Sequence, residues 1–440
     1  MAGASPAVPS SSPSETAGRD LVVLRAFVFA LFFIFGGITS LNDVLIPKLK
    51  DLFTLSYAEV MLVQSAFFLA YFTISIPGAG LVTRIGYMRT GAVGLMVMML
   101  GCLLFIPASH AALFGAFLAA LFVLAAGITI VQVVANPLIS LLGPPATAHS
   151  RLTFAQAFNS LGTTIFPYVG ARLILGSLSH ADPKTLTGAA LAAYRAQESR
   201  VIGLAYLGLA AVLAVVAWAV FRERGRLAER PSRSGGLGAA VRLLRRPRLA
   251  FGALCIFLYV GAEVAVGSLI VNYLMQPRVM GLGLEAAGEH VPFYWGGALV
   301  GRFIGAGLLR RFSPGKVLAA FASGAILMLL LSGALAGVAA GWALLLVGFC
   351  NSLMFPTIFS LACEGLGEEA AGASGIICVA IVGGAVVPLL TGRLADLFGL
   401  QLALIAPAVC YAVILLFGLY ARRPAAPLVL EIEESAPAVA

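Results

Sequence analysis

The sequence predicts an all-α membrane protein with about twelve transmembrane helices in two parallel six-helix halves, and three observations carry that expectation. The first is composition: 60% of the 440 residues are hydrophobic and 11% are charged, with a mean hydropathy of +1.01. A water-soluble domain carries roughly a quarter charged residues, so this chain could not cover a surface facing water. The second is the recurrence, from end to end, of apolar runs of about twenty residues, the length that crosses a bilayer as a helix. The third is an internal repeat at roughly half the chain length.

Taken in order, residues 1–20 are rich in Ser, Pro and Ala and lack the basic start and apolar core of a signal peptide. They are expected to form a disordered cytoplasmic tail. Residues 21–221 make an N-terminal six-helix bundle, with spans near Phe27–Pro47, Val60–Val82, Thr90–Ala108, Ala111–Leu142, Phe154–Leu178 and Val201–Phe221. The fourth run is longer than a span needs, so it tilts or extends beyond the lipid. Residues 222–248 form a basic cytoplasmic linker. Residues 249–421 make the C-terminal bundle, with spans near Leu249–Leu274, Val291–Leu309, Val317–Val338, Trp342–Cys363, Ala370–Leu394 and Leu400–Tyr420. Residues 422–440 are a second cytoplasmic tail.

The net charge of +9 does not point to nucleic acid, because the basic residues crowd short loops and the central linker. Placing both termini in the cytoplasm puts Arg84, Arg89, Arg151, the Arg222–Arg248 segment, Arg310, Arg311, Lys316, Arg422 and Arg423 inside. Only Lys48, Lys50, Lys184, Arg195, Arg200 and Arg278 remain for the outer loops, the asymmetry that the positive-inside rule requires. The six cysteines sit in apolar runs without a CxxC pair, and the four histidines lack ligand spacing. Neither a disulfide framework nor a metal site is expected, and no cofactor. No nucleophile–base pair or His/Glu ligand set stands in the spans, which argues against an enzyme.

The repeat is visible in short motifs. Gly78-Ala79-Gly80-Leu81 followed by Arg84 is matched by Gly305-Ala306-Gly307-Leu308 followed by Arg311. Pro167 with Arg172-Leu173 is echoed by Pro388 with Arg393-Leu394, and Pro137-Leu138-Ile139 by Pro356-Thr357-Ile358. Parallel six-helix repeats about an axis along the membrane normal are the major facilitator architecture. Pro137, Pro167, Pro356 and Pro388 are expected to break their helices at repeat-related positions. The two glycine motifs, with Arg84 and Arg311, are expected to hold the cytoplasmic ends together. They look like a degenerate form of the superfamily's second-to-third-helix loop motif, with Thr83 where that motif has Asp.

Ionisable groups in a bilayer are functional candidates by default. Asp43 lies in the first span beside Asn42 and after Ser40, on an otherwise apolar helix. A carboxylic acid in low dielectric has its proton affinity raised and can load and release a proton as access alternates. The competing reading is a hydrated acid near the outer end, since Lys48 and Lys50 follow. Glu263 in the seventh span, near Ser268 and Asn272, suits a second proton site, a hydroxyl acceptor or a structural ion pair. Gln132 with Asn136, and Gln156 with Asn159, each share a helix face about one turn apart. Amides donate and accept hydrogen bonds, which suits a ligand covered in hydroxyls; the alternative is helix–helix glue. Arg302 lies toward the cytoplasmic end of its helix, where it could snorkel. The repeat-related Arg172 and Arg393 suggest a gate. Tyr71, Tyr168, Tyr259, Phe355 and Phe359 could stack on sugar C–H faces or pack the core.

Several longer motifs carry a resemblance: Thr39 to Pro47, Gln64 to Tyr71, Arg84-Ile85-Gly86-Tyr87, Ala135 to Pro144, Ala155 to Gly162, Tyr259 to Glu263 and Phe355 to Ser360. Together they resemble the fucose/glucose/galactose proton-symporter family of the major facilitator superfamily, over nearly the whole chain apart from the tails and linker. The resemblance implies proton-driven import of a hexose at the bacterial cytoplasmic (inner) membrane, by a monomer whose partners are the sugar, the proton and the bilayer. It implies that the acid matching Asp43 couples the proton, and that Gln132, Gln156 and Asn159 line the sugar cavity. The fucose branch has a glutamate where this chain has Gln132, so the glucose/galactose branch is the nearer match. Amino-sugar importers also resemble the family, so N-acetylglucosamine and fucose stay open as alternative cargo. A drug exporter or a sugar sensor of the same fold is more distant.

Overall fold

The computed structural model of the chain describes residues 13–55, 59, 62–170, 187–222 and 237–423. Every long element among them is an α-helix. The N-terminal part holds α1 (Pro13–Phe53), α2 (Leu62–Ile85), α3 (Tyr87–Ala111), α4 (Phe114–Leu141), α5 (Ala148–Gly170) and α6 (Gly188–Arg222). A short α7 (Leu237–Leu243) precedes α8 (Pro247–Leu274), α9 (Leu284–Arg311), α10 (Pro314–Ala334), α11 (Val338–Asn351) and α12 (Met354–Ala362). The chain closes with α13 (Ala370–Ala380), α14 (Gly383–Phe398), α15 (Leu400–Ala403) and α16 (Ile405–Tyr420).

Ten stretches among the described residues are long and apolar enough to cross a membrane, with α11–α12, α13–α14 and α15–α16 each making one crossing. The two long helices outside that set are α5, of 23 residues, and α9, of 28 residues. Both have the length to cross at about 1.5 Å per residue. They fall short in apolarity because they carry polar side chains at mid-helix, among them Gln156, Asn159 and Ser160 on α5 and Arg302 on α9. These two helices pack on one another. The polar faces are hidden by facing each other instead of lipid, and twelve crossings result.

Helix contacts repeat in register. α1 packs on α5 as α8 packs on α14; α3 packs on α4 and α6 as α10 packs on α11 and α16; α2 packs on α4 as α9 packs on α11. The two sets of helices meet through α5 against α9 and α12, and through α13 against α2 and α4. Close packing of α1 on α5 depends on glycine: a Cβ on Gly162 would strike the Phe33 carbonyl, and one on Gly36 would strike the Asn159 amide. The α2–α3 turn depends on Gly86, whose φ of 85° favours a residue without a Cβ.

Three sequence expectations change. First, α1 begins at Pro13, inside the stretch expected to be a disordered tail; Pro suits a first helical turn, where its missing N–H is not needed. Second, the third span runs past its expected end at Ala108: α3 ends at Ala111 and Ala112 takes a left-handed turn (φ 47°) before α4, which keeps 28 residues of the long fourth run. Third, prolines do not break helices evenly. α4 runs through Pro137 and α5 through Pro167. The breaks fall in the second half, at Ser352–Leu353 ahead of Pro356 and at Ile381–Val382 ahead of Pro388. Proline cannot bond, and sterically clashes with, the carbonyl four residues earlier; for Pro356 that residue is Ser352.

The end of the bundle that carries the α2–α3, α4–α5 and α9–α10 turns is the basic end. There Arg151 caps α4, donating to the carbonyls of Ile139 (3.2 Å), Ser140 (2.7 Å) and Pro144 (2.8 Å), while Arg25 donates to Leu142 (2.8 Å). Cations here complement the negative end of the helix dipole. Arg246 pairs with Glu369, and Arg248 with Glu364, tying the start of α8 to the α12–α13 turn.

At the opposite end, Lys48 is not in a hydrated loop. It lies in α1, with its side chain 1% exposed, and its Nζ is 2.5 Å from Glu198 of α6, whose side chain is 3% exposed. Removing one partner of a buried pair strands the other charge and typically costs about 3–5 kcal/mol, whereas replacing both by apolar groups costs far less. Lys48→Met should therefore lower the thermal unfolding midpoint in detergent sharply. The double change Lys48→Met with Glu198→Leu should recover most of the loss; equal midpoints for the single variant and the wild type would contradict the assignment.

Candidate functional site

The inner face of the N-terminal helices gathers amides. On α4, Gln132 is buried, and Tyr71 of α2 donates its hydroxyl to Gln132 Oε1 at 2.7 Å. One turn on, Asn136 is fully buried, and neither its Nδ2 nor its Oδ1 has a hydrogen-bond partner. On α5, Gln156 is buried, and Asn159 is half-buried with its Nδ2 donating to the Phe32 carbonyl of α1 at 3.3 Å. Ser40 of α1 is buried, but its hydroxyl is engaged with its own helix at the Gly37 carbonyl (2.8 Å). Asn42 and Asp43 belong to α1, and their side chains lie outside the described residues. Arg172 likewise lies outside them.

The C-terminal helices contribute a tyrosine-rich cluster around one acid. Glu263 of α8 accepts the Tyr259 hydroxyl at 2.7 Å, and that hydroxyl is 3.1 Å from the Asn351 carbonyl at the end of α11. Tyr294 of α9 donates to the Glu263 backbone carbonyl at 3.2 Å and accepts from Asn351 Nδ2 at 2.8 Å. Asn351 Oδ1, Ser352 Oγ and the buried Tyr411 hydroxyl have no partner. Phe355 is buried beside Tyr259 and stacked on Phe359. Ser268 and Asn272, expected near Glu263, are exposed.

Arg302 joins the two faces. It is buried, not snorkelled to the membrane surface. Its Nε donates to the Ser352 carbonyl (3.1 Å), the group freed by Pro356. Its Nη1 crosses to α5, donating to the Gln156 carbonyl (3.0 Å) and to the Ser160 hydroxyl. Arg302 thus caps the broken end of α11, where the helix dipole is negative, and Glu263 lies within its field. Hydrogen bonds to a buried charge are the strong kind, and a buried guanidinium without them would be costly.

Further contacts close the basic end. Ser150 of α5 donates to the Ala306 carbonyl (2.7 Å) and accepts from Arg310 Nε (3.2 Å). Ser374 of α13 donates to the Val133 carbonyl of α4 at 2.9 Å. His149 Nδ1 lies 2.5 Å from Ser360 Oγ. Arg84 and Arg311 are exposed, so the guanidiniums expected to hold this end are not buried between the halves; Arg393, toward the opposite end of α14, is exposed as well. Thr83 donates to the Gly80 carbonyl within its own helix. Ser160, Tyr294, Asn351, Ser352, Tyr411 and the His149–Ser360 contact were not singled out from sequence. The Asn351-Ser352 pair inside an apolar span was the available signal.

The Major Facilitator Superfamily profile matches residues 27–380. The chain is 48% identical to a glucose/galactose transporter of Brucella abortus biovar 1 (strain 9-941), over 94% of this chain and 99% of that one. It is 32% identical to the L-fucose-proton symporter of Escherichia coli (strain K12), over 92% of this chain and 95% of that one. The crystal structure of the transporter FucP in the outward conformation superposes with a TM-score of 0.84 at 31% identity, covering 92% of this chain and 100% of that one.

Two outcomes follow from the closed basic end. Arg302→Met removes the two hydrogen bonds to α5, each worth about 1 kcal/mol or more, so the closed arrangement should weaken by roughly tenfold or more. A cysteine introduced as Ser374→Cys, in a background without native cysteines, should then react about tenfold faster with a thiol reagent; an unchanged rate would contradict the clamp. The second concerns His149, which stands ahead of Phe154, where the fifth span is expected to begin. Burial, then Arg248 and Arg151, lower its pKa from 6.5 to about 4. An opened end returns it to its ordinary value, so the open form binds more protons. Closure is fully stabilised above pH 6.5 and weakens as pH falls toward 4. Between pH 6.5 and 5.5 the labelling rate, taken relative to a permanently exposed cysteine so that the falling thiolate fraction cancels, should rise about fivefold, and His149→Gln should flatten that dependence.

Proposed function

This chain belongs to the Major Facilitator Superfamily, and from that premise we propose that it imports a hexose, glucose or galactose, together with a proton by alternating access. The observation that carries the reading is the band of amides on α4 and α5, with Tyr71 of α2 fixing Gln132, in a chain similar over 94% of its length to a glucose/galactose transporter. Amides serve a neutral polyol well, since each both donates and accepts. The sugar binds between the halves at Gln132, Gln156 and Asn159, with Asn136, Ser40, Asn42 and Asn272 as further polar contacts and Phe355 as an apolar face. Residues 21–221 and 249–421 are the two rocking units, joined by the 222–248 linker. The working unit is a monomer in a bacterial inner membrane, with both termini and the basic end in the cytoplasm.

Asp43 is the proton carrier, and the physics of the bilayer supplies the coupling. A carboxylate sealed into low dielectric is costly, so the site closes around Asp43 when the acid is protonated and the sugar is bound. Opening to the alkaline cytoplasm hydrates the acid and releases its proton. Gln132 has no proton to carry, which leaves Asp43 as the acid of the N-terminal face, with Glu263 across the cavity. Arg302, Arg84, Arg311, Arg172 and Arg393 act in gating; Arg302 is the one whose two contacts to α5 must break when the cytoplasmic end opens.

The test separates coupling from binding. In vesicles, Asp43→Asn should abolish sugar-driven proton uptake while counterflow exchange of labelled glucose survives. Proton uptake at the wild-type rate in that variant would overturn the role of Asp43.

A further inference from the structure

At the end of the bundle opposite the basic turns, α3 finishes and α6 begins with a cavity of about 870 Å³ between them. Its rim is polar: His110, Gln197 and Arg200 line it, and all three are exposed. Ile106, Leu204 and Leu207 line the rest, with Leu204 58% and Leu207 43% exposed on the bundle's outer side. Gly203 keeps this wall open against Ser109, where a Cβ would stand 2.7 Å from the serine hydroxyl.

The cations that α1, α3 and α6 bring near this cavity are of two kinds. Lys48 is buried against Glu198, and Arg195 donates to the Leu52 carbonyl and lies over the Phe53 ring. Among the described residues, no hydrogen bond, ion pair or ring contact engages His110 or Arg200. Charge placement disfavours cations at this end, so a guanidinium left without a protein partner beside a leucine wall calls for an external one.

We propose that this cavity binds the headgroup of an anionic phospholipid from the leaflet facing that end. Arg200 offers paired N–H donors to the phosphodiester, Gln197 offers amide donors and acceptors to a headgroup hydroxyl, and His110 adds a ring donor. The exposed leucines meet the acyl chains. A free phosphate ion would occupy the rim alone and leave the apolar wall unused, so the lipid is the occupant that matches both parts. Its effect is to bind α3 to α6 where those helices leave the membrane.

Native mass spectrometry of the full chain in detergent, titrated separately with phosphatidylglycerol and phosphatidylcholine, reads this directly. The wild type should retain phosphatidylglycerol about fivefold more than phosphatidylcholine, and Arg200→Gln with His110→Gln should remove that preference, since each cation near a lipid surface is worth roughly a factor of five. Lys316→Gln, a cation at the basic end, should leave it intact. Soluble glycerol phosphate should not displace the lipid. Equal retention of the two lipids by the wild type, an undiminished preference in the double variant, or displacement by glycerol phosphate would each overturn the proposal. If the double variant fails to fold, as judged by thermal unfolding, Arg200→Lys replaces it and should show a reduced but measurable preference.

Discussion

One buried guanidinium organises the centre of this molecule. Pro356 cannot donate to the Ser352 carbonyl, α11 ends there, and Arg302 of α9 donates to that oxygen and to two groups of α5. A charge in such a place is stable only with its hydrogen bonds made, so the helix break, the α5–α9 contact and the closed basic end support one another. Removing any of the three leaves a cation or a carbonyl without a partner. A two-state closure follows from this arrangement more naturally than a graded one.

The two halves share a plan but not a chemistry. The N-terminal face presents amides on helices that continue through their prolines, with Tyr71 fixing Gln132. The C-terminal face presents Glu263 and its tyrosine hydroxyls on the continuous α8 and α9, beside helices broken at Ser352–Leu353 and Ile381–Val382. Continuous helices make a stiff platform for a ligand. Broken ones can bend at a defined point, and at Ser352 the carbonyl already bonds to a side chain that can let go. Among the described residues the interior helix breaks fall in one half, a division that repeat symmetry alone would not produce.

Much of the architecture was legible in composition and repeats, because the bilayer requires long apolar helices of a set length. The exceptions are instructive. α5 and α9 are the least apolar crossings, yet their breaks in apolarity mark where the halves meet. Lys48 was read as an outer-loop charge because its partner, Glu198, is distant in sequence; no periodicity links them, and only the fold brings them within 2.5 Å. The even treatment of Pro137, Pro167, Pro356 and Pro388 also failed. A freed carbonyl with a new donor does not decide the outcome: Val133, freed by Pro137, accepts from Ser374 in a helix that continues, while Ser352, freed by Pro356, accepts from Arg302 where the helix ends. The amides and Glu263 were visible as polar residues in apolar runs, whereas nothing in the sequence distinguishes Tyr294, whose hydroxyl only the fold brings to Glu263 and Asn351.

Proton-driven hexose import is the claim on which the rest converges, and uptake by purified protein in sealed vesicles tests it most directly. With an inward proton gradient, labelled glucose and galactose should accumulate above their external concentration, and a protonophore should collapse that accumulation to equilibrium. Accumulation of neither sugar, or accumulation that persists after the gradient is abolished, would contradict the account.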